Sequence, residues 1–167
     1  MKNGWLALAA ALAVVAVDLA TKLGIESAFT LHESKTVIPG LFNIVYIKNK
    51  GAAFGFLSQI NGDWVSYAFM AIAVTALVVI ALLYRSAPAD DWISRAAYVL
   101  IGSGALGNLI DRIRSGAVTD FLLFYIGEYQ WPAFNVADSC ITVGIILLGY
   151  VMAFNNSKPG SMPVDRV

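Results

Sequence analysis

Charge is scarce in this chain. Only 13% of its 167 residues are Asp, Glu, Lys or Arg, and 59% are hydrophobic. A soluble domain carries roughly 25% charged residues, so a bilayer is the expected solvent for much of the sequence. The few charges cancel to a formal net charge of zero, which removes the electrostatic footprint of a nucleic-acid partner. Cys140 is the one cysteine. It excludes an internal disulfide and a cysteine metal cluster, and in its apolar setting it reads as an inert core thiol. His32 is the one histidine, so no site that needs two is available, and it reads as a surface residue. No metal and no cofactor are expected.

What is present is apolar runs. A membrane helix needs about 20 mostly apolar residues. Two runs meet that, Trp64 to Tyr84 and Ser139 to Asn156. Two others, between Lys2 and Asp18 and between Arg95 and Asp111, hold about 15 uncharged residues each. They span only if polar residues at their ends enter the membrane or its interface. The Ala-x-Ala patterns of the first, such as Ala7-Leu8-Ala9, fall inside its apolar core, so it reads as an uncleaved span rather than a signal peptide. The expected fold is a membrane all-α, four-helix bundle in one domain over 1–167, with spans near 5–23, 64–84, 94–112 and 137–155. A loop over about 27–63 is expected to carry a small β-element in Leu41–Asn49, after a turn at Pro39-Gly40. A second loop covers about 113–135. Its Tyr125, Tyr129 and Trp131 suit the headgroup level. A mobile tail covers about 156–167.

Four spans put both termini on one side. Asp18, Lys22, Asn108, Asp111, Arg112, Asp120 and Asp138 then collect at the opposite face. Counting Lys and Arg gives five against six on the two sides, so the positive-inside rule does not orient the chain.

Ionisable groups at a membrane mark function by default. Asp18 and Lys22 have the spacing of a helical ion pair, which equally suits anchoring a helix end. Asn108, Asp111 and Arg112 share a helix face behind the small residues Gly102–Gly107. That suits helix packing as well as donors for a substrate carbonyl. Asp138 opens the fourth run, where an acid also serves as a helix cap. Asp120 alone could be a turn residue. Together, two carboxylates held close share one proton. The ionised member takes a proton from water, and the protonated member hydrogen-bonds the scissile carbonyl. Two other readings remain open: a proton-coupled transporter, whose site would lie nearer the midplane, and a scaffold whose acids only fix helix packing.

Five segments carry a family resemblance: Asp18-Leu19-Ala20-Thr21-Lys22, Asn49-Lys50-Gly51-Ala52-Ala53-Phe54, Gly104–Arg112, Val118-Thr119-Asp120-Phe121 and Phe134-Asn135-Val136-Ala137-Asp138. In this order they resemble the lipoprotein signal peptidases (signal peptidase II), bacterial inner-membrane aspartyl peptidases of family A8. Leu19 and Ser103 depart from the pattern, and neither touches Asp120 or Asp138. The resemblance implies four membrane helices with cytoplasmic termini and a β-cradle on the periplasmic face. It implies Asp120 and Asp138 as a catalytic dyad. It implies cleavage of prolipoproteins before their diacylglyceryl-modified cysteine. Asn49, Gly51, Phe54, Asn108 and Arg112 look like substrate-binding residues. Asp18, Lys22, Asp111 and Asn135 look like supporting ones. The implied partners are prolipoproteins, membrane lipids and globomycin-type inhibitors. The chain is expected to be a monomer, although no sequence signal fixes its oligomeric state.

Overall fold

The computed structural model describes residues 4–51 and 64–154. Within them lie four long helices: α1 (Gly4–Ala28), α2 (Trp64–Ser86), α3 (Trp92–Ser115) and α4 (Val136–Phe154). All four are long and apolar enough to cross a membrane. The two runs that looked short continue as helix through their charged ends. α1 passes Asp18 and Lys22, and α3 passes Asp111 and Arg112. The bilayer tolerates this because Asp18, Lys22 and Asp111 are fully buried against other protein. Leu8, Leu12, Ile72, Val78, Ile146 and Met152 instead face outward, leaving apolar surface for lipid chains.

α3 is the central helix, packed against α1, α2 and α4. Small residues permit the close approach. A Cβ on Gly104 would run into the Ala137 carbonyl of α4, and one on Gly144 would lie 2.9 Å from the Ala97 carbonyl of α3. Asp91 starts α3 by accepting from the Ser94 amide at 3.1 Å. Gly116 ends it in the left-handed region at φ 71, with its N–H returned to the Arg112 carbonyl. Such a glycine cap stops a helix and redirects the chain.

Over the helix ends lies a four-stranded antiparallel sheet in the order β1 (Ser34–Ile38), β2 (Phe42–Asn49), β3 (Val118–Ile126) and β4 (Tyr129–Gln130). The sequence reading placed a β-element in the first loop only. In the structure the second loop supplies half the sheet. Its composition suits a strand: Val118–Ile126 is nearly all β-branched, aliphatic or aromatic, interrupted by Asp120. An irregularity between Ile44 and Ile47 resets the pairing, after which Ile47 faces Asp120, Lys48 faces Thr119 and Asn49 faces Val118. Successive strand side chains point to opposite faces. Asn49 and Asp120 therefore look one way, while Lys48 and Thr119 look the other.

Candidate active site

The core at this end of the bundle is polar. Among the described residues, the largest fully buried side chains are Lys22, Asn135, Thr119, Asp18 and Asp111. Buried polar groups are tolerable only when satisfied, and these are. The Lys22 ammonium donates to Asp18 Oδ2 at 2.8 Å and to Asn108 Oδ1 at 2.9 Å. It lies 3.7 Å from Asp111 Oδ2. One buried cation thus ties α1 to α3 between two carboxylates. The ion-pair reading of Asp18 and Lys22 describes half of this, because the same lysine also orients Asn108.

Asp18 has a second task. Its Oδ1 accepts from the Ala137 amide at 2.9 Å, taking up one of the orphan N–H groups at the start of α4. Asn135 and Asp138 take up others as a reciprocal capping pair. The Asp138 amide donates to Asn135 Oδ1 at 2.9 Å, and the Asn135 amide donates to Asp138 Oδ2 at 3.3 Å. Asp138 is therefore a helix cap, and the cap aims its other oxygen into the site. There Asp138 Oδ1 accepts from Asn108 Nδ2 at 2.8 Å.

Asp120 reaches the same place from the sheet. It is a strand residue rather than a turn residue. Its Oδ1 accepts from Asn135 Nδ2 at 2.8 Å, and its Oδ2 accepts from Asn49 Nδ2 at 2.9 Å. Asn135 thus donates to both carboxylates, to Asp120 through its amide nitrogen and to Asp138 through its backbone N–H, while its amide oxygen accepts from the Asp138 backbone N–H. Burial pushes the Asp120 carboxyl up to about 7, and the negative charge of Asp138 adds to the rise. The donors Asn49, the larger opposing influence, and Asn135 hold it back. Near neutral pH the pair can keep one proton.

Arg112 lies half-buried on α3 with its guanidinium 5.1 Å from the Phe69 ring centre. Its Nε is buried and has no partner among the described residues. Gly51 packs its backbone on the same Phe69 ring, at φ +116, where any side chain would collide with it. The Gly51 amide donates to Asn49 Oδ1 at 2.9 Å, which fixes the rotamer that presents the Asn49 amide to Asp120. Phe54 falls outside the described residues. His32 is exposed before β1, and Cys140 is half-buried on α4.

Sequence reasoning missed a second polar group behind the sheet. Glu26 accepts from Lys48, Thr119 and Arg114. Its only sequence signal is spacing. Asp18, Lys22 and Glu26 recur every four residues and share one helix face.

Comparison with known proteins bears on this arrangement. Residues 10–154 match the family model described as signal peptidase (SPase) II. The chain belongs to the signal peptidase II family. A lipoprotein signal peptidase from Geobacter sulfurreducens is 48% identical over 147 residues, covering 86% of this chain and 89% of that one. One from Oleidesulfovibrio alaskensis is 50% identical over 131 residues, covering 78% and 83%. A solved structure of a bacterial membrane enzyme, obtained by the in meso method, superposes with a TM-score of 0.83 at 32% identity. It covers 96% of this chain and 95% of its own. As a signal peptidase II family member, the chain is an aspartic-type peptidase and a multi-pass membrane protein.

Proposed function

We propose that this signal peptidase II family member removes signal peptides from prolipoproteins by cleaving before the diacylglyceryl-modified cysteine, with Asp120 and Asp138 as its catalytic dyad. One observation carries the assignment of the acids: Asn135 donates to both carboxylates, to Asp120 from its side-chain amide and to Asp138 from its backbone N–H. The pair starts with a single shared proton. Its ionised oxygen takes a proton from water as that water attacks the scissile carbonyl. The protonated oxygen hydrogen-bonds the carbonyl oxygen as the carbonyl carbon becomes tetrahedral, and keeps its proton. Collapse of the intermediate breaks the C–N bond, and the dyad passes a proton to the departing cysteine amine. The pair ends with the single proton it began with.

The surroundings support this course. Asn108 and Arg112 stand beside Asp138 with donors for substrate carbonyls, and the Nε of Arg112, without a partner among the described residues, is one of them. Asn49, at the end of β2, and Gly51, just beyond it, border the site. Asp18, Lys22, Asp111 and Asn135 hold the reacting groups. The dyad sits at helix ends beneath a sheet, so a peptide bond can reach it from the interface while its acyl chains stay in hydrocarbon. The site is built from one chain, which is compatible with a monomer. We place the protein in the bacterial inner membrane with cytoplasmic termini and the dyad at the periplasmic face, open to globomycin-type inhibitors.

A gel-shift assay of a lipidated precursor tests the assignment. Asp120→Asn and Asp138→Asn should each abolish cleavage while the protein still accumulates in the membrane. Retained cleavage in either variant removes the dyad.

A further inference from the structure

We propose that Glu26 is a positioning residue for this reaction, clamping Thr119 from behind β3 and so holding Asp120 against Asp138. The inference rests on the dyad reading above and concerns a residue outside it.

The argument begins with an acid in an unfavourable place. Glu26 lies in the last turn of α1, at the negative end of the helix dipole, where cations are preferred. No basic residue shares that turn. Cations from elsewhere in the chain offset it. Lys48 of β2 donates to Glu26 Oε1 at 2.8 Å, and Arg114 of α3 donates to Glu26 Oε2 at 2.8 Å. Such a local conflict is expected where position serves function.

What Glu26 holds is specific. The Thr119 hydroxyl donates to Glu26 Oε1 at 2.8 Å and accepts from Lys48 Nζ at 2.9 Å. The Thr119 amide donates to Asp111 Oδ2 at 2.7 Å. Thr119 is fully buried and directly precedes Asp120. Both its side chain and its backbone are therefore pinned, to α1, β2 and α3. The alternation of β3 sends Thr119 to the rear and Asp120 to the site. The rear clamp accordingly fixes the peptide unit that aims the Asp120 carboxylate, without touching the reacting atoms. Lys48 donates as well to Ser115 Oγ at 3.1 Å, which ties β2 to the end of α3 and closes the clamp.

The alternative is a group that only adds stability. A kinetic split separates the two, using the full chain, a lipidated precursor and thermal unfolding in detergent. Glu26→Gln and Thr119→Val should each lower kcat by about tenfold or more with KM nearly unchanged, as small misplacements of reacting groups do. Thr119→Ser, which keeps the hydroxyl, should restore kcat. The double variant should fall no further than the worse single, because both remove one link. Thr119→Val changes no charge, and it decides the question if Glu26→Gln fails to accumulate. The inference is overturned by wild-type kcat in Thr119→Val, by losses that multiply in the double variant, or by activity that falls only with the amount of folded protein. Asp120→Asn and Asp138→Asn run alongside. If they still cleave, the dyad reading fails. If they are inactive while Thr119→Val is normal, only the role of Glu26 fails.

Discussion

At the residue scale, buried charge sets the behaviour of the site. Lys22 is fully buried between Asp18 and Asp111. Removing one partner of such a group strands the others without solvent and costs about 3–5 kcal/mol. Lys22→Met should therefore lower the melting temperature sharply in detergent. Adding Asp18→Asn should recover part of the loss, since the amide oxygen can still accept from Ala137. No recovery would mean that the lysine does not compensate Asp18. Asp120 makes a prediction of opposite character. Its carboxyl is raised by burial from 3.8 to about 7, so the folded protein holds a proton there that the unfolded chain has already released. Folding takes up that proton between these two values, and stability falls as pH rises across the window. Asp120→Ala should flatten this slope in melting temperature against pH. The same proton gives cleavage an alkaline limb near pH 7, far above an ordinary carboxylate. A kcat/KM profile level to pH 9 would contradict it.

At the scale of elements, the helix pattern was easy to read and the sheet was not. The apolar runs announced α2 and α4 outright. α1 and α3 were visible as runs whose polar ends had to enter the membrane, and the structure gives the reason in the pairing of Lys22 with Asp18 and Asn108. β3 was obscured because Leu122–Ile126 in a membrane protein reads as an interfacial stretch, and its pairing with β2 depends on residues far away in sequence. Glu26 shows in the sequence only by its spacing from Asp18 and Lys22, since its partners Lys48, Arg114 and Thr119 come from three other elements. Asn135 could have been read further. Asn135-x-x-Asp138 has the spacing of a capping pair, which already bonds the two side chains to each other's backbone. Helix packing gives a test of its own. A Cβ on Gly107 would lie 2.5 Å from Asp18 Oδ2. Gly107→Ala should displace Asp18 from Lys22, destabilise the fold by about 1–3 kcal/mol and depress cleavage. Gly149→Ala, with open space around it, should do neither. Equal melting temperatures for the two variants would contradict the close α1–α3 contact.

At the scale of the molecule, the bundle has two unlike ends. The sheet covers the end that holds the acids, and the short α2–α3 turn forms the other. There Arg95 stacks on Tyr84 at 4.2 Å and donates to the Ala87 carbonyl. The proposed orientation makes these ends chemically distinguishable in cells. In a Cys140→Ser background, Glu128→Cys in the β3–β4 turn should react with a membrane-impermeant maleimide in intact spheroplasts. Asp90→Cys in the α2–α3 turn should react only after permeabilisation. The reverse pattern would invert the topology.

The two-sided ribbon formed by β2 and β3 acts as a reading frame. Its site-facing pair, Asn49 and Asp120, does one job, and its rear pair, Lys48 and Thr119, does another, with a single step of chain separating them. A slip of one position in β2 exchanges every side chain of that strand between faces. It would deliver the Lys48 ammonium to the water-handling side and turn the Asn49 amide among the ion pairs. A single residue inserted into β2 after the Ile44–Ile47 irregularity should thus silence the protein more completely than most substitutions along the same strand.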